Sequence, residues 1–313
     1  MAYSIEQINA ISTAVYDKKI TQQQYDENPL LKHLKDSEKK TIAGGDDIRF
    51  PVRTENLGTG GDVDWDDQVT FTAKDTRTSG VLEWAVYRAD TMLRWEETAK
   101  AQAGSQRIVN IVEDKSMELS EEIAYRLATD LFASSYSDTN KIVPIPTIVD
   151  TADSYAGIAV ADAANWKAAS EDSSSTKMTR VLLYEDVEGA KFGMNMPNYF
   201  VTTRDLSANY NALLSGDERY VNTNKANAGF VGPALYTHPV MSDPYVSSGD
   251  FFGLDMEALE LFVMKGQDFS VSEWIDLAPA GFPDSAGKVV KVVLNLICRR
   301  RRTSFKLTAL TGV

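Results

Sequence analysis

The hydrophobic pattern is strongest in the middle of the chain, between Arg107 and Ala133. This segment contains no proline or glycine, and its apolar residues recur at spacings of three, four and seven: Ile108, Ile111, Val112, Leu119, Ile123, Leu127 and Leu131. Such spacing is typical of one apolar stripe on a helix whose other side is polar. A helix of this length spans about 40 Å. We predict that this segment, the spine helix, is the long rigid element around which the other elements are arranged.

Strand-like alternation precedes the spine helix. The segments DIRFPVRT, QVTFTAKDT and GVLEWAVYRAD alternate apolar and polar residues, and a glycine-rich, acidic turn lies between the first two. The pattern predicts a long ribbon of two or three strands with a flexible tip. Because an isolated ribbon is only marginally stable in water, we expect it to lie on a partner surface. Residues 91–106 then have the spacing of a shorter helix.

The remaining segments predict an α+β fold. Residues 1–45 are polar and mixed, and we interpret them as an extended N-terminal arm, interrupted at Pro29 and ordered by contact with another surface. The run IVPIPTIVD predicts extended chain. Residues 151–245 predict a compact α/β subdomain, with a helix after a serine/threonine cluster and a buried strand in NYFVTTRDL. Residues 246–313 return to strands and end in the longest β signal, KVVKVVLNLICRRRRTSFKLTAL.

Composition and charge exclude several classes of protein. The formal net charge is -13, so the overall field disfavours general binding to nucleic acid. No window reaches eighteen uninterrupted apolar residues, and the N-terminus lacks the pattern of a secretory signal. Cys298 is the sole cysteine, so no intrachain disulfide can form.

Residues typical of catalysis or of metal binding are sparse. His33 and His238 are the only histidines, and neither has a second histidine or a cysteine at ligand spacing. The nucleophile-elbow, phosphate-loop and zinc-protease motifs do not occur. The sequence therefore predicts neither an enzyme nor a resident cofactor.

The order of these segments resembles the major capsid proteins of tailed bacteriophages, which share the HK97-type shell fold. The resemblance is carried by DKSMELSEEIAYRLATDLFA, TADSYAGIAVADAANWKAA, NYFVTTRDLSANYNALL, FFGLDMEALELFV and CRRRRTSFKLTALTG, and it covers most of the chain from about residue 45. It implies an N-terminal arm (1–45), an extended β-ribbon loop (46–90), a peripheral domain with the spine helix (91–149), an axial domain (150–245) and return strands (246–313).

The resemblance also implies a function. Copies would assemble into hexamers and pentamers that close an icosahedral head around double-stranded DNA, without sequence-specific binding and without a membrane. The partners implied are other copies of the chain, a portal protein, a scaffolding protein and a decoration protein. The location implied is the virion, after assembly in the host cytoplasm.

Two charged clusters, one acidic and one basic, are candidate sites. An EF-hand loop that starts at Asp62 requires glycine where Asp67 stands and glutamate where Ala73 stands, so that pattern fails. We interpret the cluster as a solvated acidic tip, with a weaker cation site at a subunit contact as the alternative; its ligands would be Asp62, Asp64 and Asp66. The run Arg299, Arg300, Arg301 and Arg302 would alternate between the two faces of a strand. We therefore expect salt bridges within or between subunits and not a nucleic-acid patch.

Surface residues of the ribbon, the spine helix and the arginine run are the candidates for contact between subunits: Arg49, Arg53, Trp65, Phe71, Lys74, Glu118, Glu122 and Arg299–Arg302. In some members of the family a loop lysine is joined covalently to an asparagine of a neighbour. Lys74 lies on the ribbon, but no matching partner is evident, and an ordinary surface lysine is the simpler interpretation.

The sequence is also compatible with two alternative functions. An encapsulin-like cellular compartment would share the shell but enclose enzymes, and the cargo that copurifies would separate it from a phage head. A soluble ligand-binding α/β protein would be a discrete monomer with a pocket. Size-exclusion chromatography with electron microscopy distinguishes that monomer from a shell.

Overall fold

The structure is a computed structural model. It describes residues 28–37, 39–58, 60–62, 64–65, 68, 71, 73–94, 111–136, 138–172, 176–214, 234–273, 275–277, 281–282 and 285–311. The first 27 residues of the predicted arm, the predicted helix from residue 95 to 106 and the first four residues of the predicted spine helix lie outside these ranges.

Five helices and fourteen strands are assigned in the described residues. The helices are α1 (Pro29–Ser37), α2 (Ile111–Leu131), α3 (Ile145–Ile148), α4 (Arg180–Ala190) and α5 (Arg204–Leu213). The strands are β1 (Lys39–Ile42), β2 (Asp47–Arg53), β3 (Arg77–Glu83), β4 (Ala85–Arg94), β5 (Glu171–Asp172), β6 (Tyr199–Thr202), β7 (Ala234–Leu235), β8 (His238–Ser242), β9 (Phe251–Leu254), β10 (Leu259–Met264), β11 (Ser270–Val271), β12 (Ile275–Asp276), β13 (Ser285–Cys298) and β14 (Phe305–Leu307). No helix in these ranges is both long and apolar enough to cross a membrane.

The long strand β13 organises one six-stranded sheet, which we call the long sheet. One edge of β13 pairs antiparallel with β4 from Ser285 to Leu294, and its other edge pairs with β10, β11 and β12. Strand β1 adds in parallel to the outer edge of β10. The strong β signal near the C-terminus is therefore confirmed, and it forms the centre of this sheet.

Within the segment 107–133 that was predicted to be helical, the described residues contain the helix α2, which packs on the long sheet against β4 and β13. Its buried stripe includes Leu119, Ile123, Leu127 and Leu131. Polar contacts fix both ends: Lys115 Nζ donates to the Met92 carbonyl at 2.9 Å, and the Tyr87 hydroxyl donates to Asp130 at 2.9 Å. The helical period of apolar residues thus predicted both the element and its buried side.

The ribbon is shorter than the sequence pattern predicts. Strands β2 and β3 pair antiparallel, with Phe50 opposite Gly80, and their apolar face is buried. The sequence pattern predicts a further strand at 68–76. This prediction is wrong for the described residues 68, 71 and 73–76, because none of them belongs to a strand. The strand predicted across Trp84 is interrupted there, because the Trp84 indole donates to the Gly45 carbonyl at 2.9 Å and turns the chain from the ribbon into the long sheet.

The second six-stranded sheet has the order β5–β14–β9–β6–β8–β7 and carries α4 and α5. Helix α4 begins after the serine/threonine cluster, as predicted. The side chains of Thr179 and Thr203 cap α4 and α5, because each Oγ1 accepts from a backbone N–H group of the first turn. The buried strand predicted in NYFVTTRDL is confirmed as β6. Strands β9 and β14 come from the C-terminal part of the chain, so this unit draws on residues beyond 151–245.

Three local predictions are wrong. Residues 29–37 form a helix and not an extended arm, because Asn28 caps the first turn and Leu30, Leu31 and Leu34 are buried in the main core. Residues 145–148 form α3, because proline is compatible with a first helical turn. Residues 91–94 continue strand β4 and are not helical, because their backbone pairs with β13.

Candidate interaction surfaces

The ribbon tip exposes two large aromatic side chains. Phe71 is 94% exposed and Trp65 is fully exposed, while Leu57 is about half exposed. Lys74 closes the base of the tip through an ion pair with Glu55 at 2.8 Å. Because burying a large apolar side chain contributes about 1.5–3 kcal/mol, an exposed aromatic pair on a protruding loop is typical of a surface that is covered in an assembly.

The acidic residues of the tip do not form a recognisable metal centre. Asp62 and Asp64 are exposed, and Asp66 lies outside the described residues. Within the described part of the chain, no group of three or more histidine, cysteine, aspartate or glutamate side chains is arranged to hold a metal ion. A cation site at this tip therefore stays a prediction.

The stem of the ribbon and the outer side of the spine helix carry exposed ion pairs. Arg49 contacts its neighbour Asp47 through two nitrogens, the shorter distance being 2.9 Å, and Arg53 donates to the Glu55 carbonyl at 3.3 Å. On α2, Glu118 is exposed, and Glu122 accepts from Arg126 Nε at 3.0 Å one turn later. Exposed ion pairs of this kind contribute little to stability, so these side chains can exchange partners at a subunit contact.

The four consecutive arginines have four different environments. Strand β13 ends at Cys298, and a short 3₁₀ helix spans Arg301–Thr303, so the alternation expected for one continuous strand is wrong. The 3₁₀ turn reorients successive side chains by about 120° and separates the buried from the exposed arginines. The sequence RRRR contains no signal for this turn.

Arg299 and Arg300 form intrachain salt bridges, one of the two possibilities expected for the run. Arg299 Nε donates to Glu260 at 2.9 Å, and Lys40 of the edge strand β1 donates to the same carboxylate. Burial raises the pKa of Glu260, but the hydrogen bonds and charges of Lys40 and Arg299 outweigh this effect and hold the pKa below its usual value. Arg300 pairs with the buried Asp255 at 3.3 Å.

Arg301 is buried, with 1% of its surface exposed. Its five N–H donors bind five backbone carbonyls, those of Thr147, Ile148, Asp150, Asp153 and Trp166, at 2.8–3.3 Å. A guanidinium has five N–H donors, so these five hydrogen bonds use all of them within the chain. Arg301 is therefore a structural residue that ties α3 and the following loop to the C-terminal segment, and the expectation that it contacts a neighbouring subunit is wrong.

Arg302 is exposed and lies over the ring of Phe192, with 4.7 Å between its Cζ and the ring centroid. Phe192 belongs to a tight hairpin whose backbone exchanges two hydrogen bonds with Asn195, at 2.9 and 3.2 Å. The same hairpin carries Met194, which is 98% exposed. Sequence reasoning missed this surface, although the residues KFGMNMP between a helix and a strand are a turn signal that contains exposed apolar residues.

A buried amide fixes the root of the ribbon. Asn295 on β13 donates to the Glu83 carbonyl at 2.7 Å and accepts from the Val143 N–H at 3.1 Å. The Val81 N–H of the ribbon also donates to the Ala156 carbonyl at 2.9 Å. The stem of the ribbon is thus bound to its own chain, which leaves the tip as the part available to a partner.

Comparison with known proteins gives a fold for the whole chain. No protein-family model matches the sequence, and no curated protein sequence matches it. The solved capsid chain of Cyanophage A-1(L) is similar over 99% of both chains, with 15% identity and a TM-score of 0.68. The capsid chain of the native GTA particle is similar over 99% of both chains, with 11% identity and a TM-score of 0.65.

A third similar structure includes a further component. It contains the gp27 major capsid proteins of Phage G together with gp26 decoration proteins, and the similarity covers 98% of this chain and 99% of that one, at 11% identity and a TM-score of 0.51. Together these likenesses give the present chain the α+β fold of phage capsid chains.

Proposed function

We propose that this chain, whose fold is that of phage capsid chains, is a major capsid protein that assembles into the icosahedral head of a tailed bacteriophage. The observation that carries the proposal is the coverage, since 99% of this chain matches 99% of two capsid chains. Two chains that serve as the same kind of shell subunit are expected to match over nearly their full lengths. In this role the chain is a structural protein of the virion and not an enzyme.

The geometry of the exposed surfaces supports this role. The ribbon stem is bound to its own chain by Asn295 and by the Val81 backbone, while its tip exposes Trp65 and Phe71 to solvent. A chain that acts as a monomer gains nothing from such a tip, whereas a repeated subunit can cover it with the next copy. The remaining candidates, Arg49, Arg53, Lys74, Glu118, Glu122, Arg299, Arg300 and Arg302, are proposed as contacts at the same or neighbouring interfaces.

The domain roles are part of the proposal. Residues 1–45 are the N-terminal arm, residues 46–90 are the extended loop, residues 91–149 are the peripheral domain with the spine helix, and residues 150–245 are the axial domain, closed by the return strands of 246–313. The proposed division needs three refinements. Strands β9 and β14 pair with the strands of the axial domain. Within the ranges given to the arm and the loop, α1 packs in the main core, and β1 and β4 belong to the long sheet. In hexamers and pentamers the axial domains would surround the local symmetry axes.

The partners proposed are further copies, a portal protein, a scaffolding protein and a decoration protein, with double-stranded DNA enclosed. A net charge of -13 is consistent with a shell that encloses DNA without binding it tightly. The decoration protein is supported by the Phage G structure, in which capsid and decoration proteins occur together. The encapsulin-like compartment and the ligand-binding monomer have no specific observation in their favour.

The test is assembly of the full-length chain, expressed with and without the neighbouring genes of its genome. Size-exclusion chromatography and electron microscopy should reveal closed particles tens of nanometres across. A monomer that persists at high concentration, in the presence of those gene products, would contradict the proposal. Particles that copurify with an enzyme cargo and without DNA or portal would instead favour the compartment.

A further inference from the structure

The surface that Arg302, Phe192 and Met194 form beside the α4–β6 connection has the composition of a binding site for an acidic, aromatic segment. We call it the arginine–phenylalanine platform. Arg302 stacks on the Phe192 ring, Phe192 is 52% exposed, and Met194 is almost fully exposed. Methionine and phenylalanine side chains offer polarizable contacts to another aromatic ring, and the arginine supplies a positive charge at the same place.

The donors of Arg302 remain available to a partner. A guanidinium carries its N–H groups in its own plane, so stacking on the ring does not use them. Within the described part of the chain, Arg302 forms no ion pair, whereas Arg299 and Arg300 pair with Glu260 and Asp255. The platform is thus set to receive a carboxylate in plane with the guanidinium and an apolar ring beside it.

The ribbon tip has the matching chemistry. Between residues 54 and 76 the sequence contains six acidic residues and one basic residue, Lys74. Lys74 is already paired with Glu55 at the base of the tip. Asp62 and Asp64 precede the exposed Trp65, and the exposed Phe71 follows six residues later. A strongly acidic tip on one copy and a basic, apolar platform on another are complementary in charge and in hydrophobicity.

We infer that, between neighbouring copies, the acidic aromatic tip of one ribbon docks on the arginine–phenylalanine platform of the next copy. This inference rests on the proposed function, because it requires the copies to assemble. The apolar contact supplies most of the energy, since an exposed ion pair alone contributes little. Arg302 supplies orientation, because a bidentate pair with a carboxylate has a defined geometry.

Engineered disulfides in assembled particles test the docking. Asp64→Cys places a thiol next to Trp65, and Met194→Cys places one on the platform, both at exposed positions. The native Cys298 is fully buried and its burial raises its pKa to about 12, so it does not react. Oxidation of particles of the double variant should give a ladder of covalent multimers on a non-reducing denaturing gel, because a disulfide requires Cα atoms within about 7 Å.

The matched control pairs Asp64→Cys with Val181→Cys, an exposed position on the first turn of α4. It should give no ladder. Particles that form without a ladder in the Met194→Cys variant, a disulfide confined to single chains, or an equal ladder in the control would each overturn the docking. Failure of the wild-type chain to form particles would instead count against the proposed function.

A second measurement does not depend on disulfide geometry. Arg302→Glu should raise the concentration required for particle formation by about tenfold or more, which corresponds to about 1.4 kcal/mol per subunit. Its circular dichroism and its unfolding midpoint as an unassembled chain should match those of the wild type, because Arg302 is exposed. Unchanged assembly of Arg302→Glu would overturn the inference.

Discussion

At the scale of single residues, the four arginines demonstrate how neighbouring, chemically identical side chains acquire different roles. Arg301 binds five backbone carbonyls and is buried, whereas Arg302 is exposed on an aromatic ring. The sequence predicts salt bridges for the run, and Arg299 and Arg300 form them. The sequence could not predict the burial of Arg301, because its acceptors are backbone carbonyls about 150 residues earlier in the chain. Every residue has a backbone carbonyl, so these acceptors leave no signal in the sequence.

Replacing Arg301 by lysine should destabilise the unassembled chain by about 3 kcal/mol or more. Lysine retains the charge but has three donors on one atom, so at least two buried carbonyls lose their partner. The measurement is the free energy of unfolding in urea. Arg302→Lys is the matched control, because it makes the same change at an exposed neighbour, and it should shift stability by less than about 0.5 kcal/mol. Equal effects at the two positions would contradict the structural role of Arg301.

A buried carboxylate should make stability depend on pH. Asp243 has no exposed surface; its Oδ1 accepts from the Tyr245 N–H, and its Oδ2 has no hydrogen-bond partner in the described residues. Burial raises the pKa of Asp243 to about 6 from 3.8, and the Tyr245 hydrogen bond offsets only part of this effect. Since the folded state then holds the proton more tightly than the unfolded chain, the stabilising contribution is present below about pH 4 and is lost as the pH rises through 6.

Asp243→Asn should remove that dependence. The variant should be more stable than the wild type at pH 7.5, by about 1–3 kcal/mol, and should not gain at pH 4. Urea unfolding of the unassembled chain at both pH values measures this difference. Asp250, whose pKa burial also raises to about 6, should retain part of the wild-type slope in the variant. A variant that keeps the full wild-type slope would rule out Asp243 as its source.

At the scale of elements, the periodicity of apolar residues predicted the helices and strands that bury an apolar face. It did not predict the elements whose bounds depend on turns or prolines. The spine helix, β6 and β13 have strong apolar patterns, and all three are confirmed. The predictions for α1 and α3 are wrong because proline interrupts an apolar pattern in the sequence but is compatible with the first turn of a helix, where both helices contain one. The ribbon was predicted too long because the interruption at Trp84 depends on a hydrogen bond to Gly45, 39 positions earlier.

The pairing of β2 with β3 gives a prediction at the same scale. A Cβ at Gly80 would lie 2.7 Å from the Phe50 ring, so Gly80→Ala must displace Phe50 from its buried position. We expect a loss of about 1–3 kcal/mol and faster proteolysis of the ribbon. Gly60→Ala is the control, because no atom lies within 4 Å of its added Cβ. Equal protease resistance of the two variants would mean that the stem is not packed as described.

At the scale of the whole molecule, folding and assembly should be separable. The double substitution Trp65→Ser and Phe71→Ser removes two exposed side chains that contribute little to the isolated fold. The unassembled variant should therefore unfold within about 0.5 kcal/mol of the wild type but should fail to form particles. Unfolding in urea and electron microscopy measure the two properties. Normal particles from this variant would exclude the tip from the interface.

Two short chain crossings between the sheets run side by side, residues 255–258 from β9 to β10 and residues 299–304 from β13 to β14. Two hydrogen bonds join the crossings. The Arg299 N–H donates to the Ala258 carbonyl at 2.8 Å, and the Thr303 hydroxyl donates to Asp255 at 2.7 Å. A pulling force that separates the sheets would therefore load both short crossings together. One crossing can slide past the other only if the hydrogen bonds between them break. In a pressurised container, such a joint would carry tension without acting as a hinge.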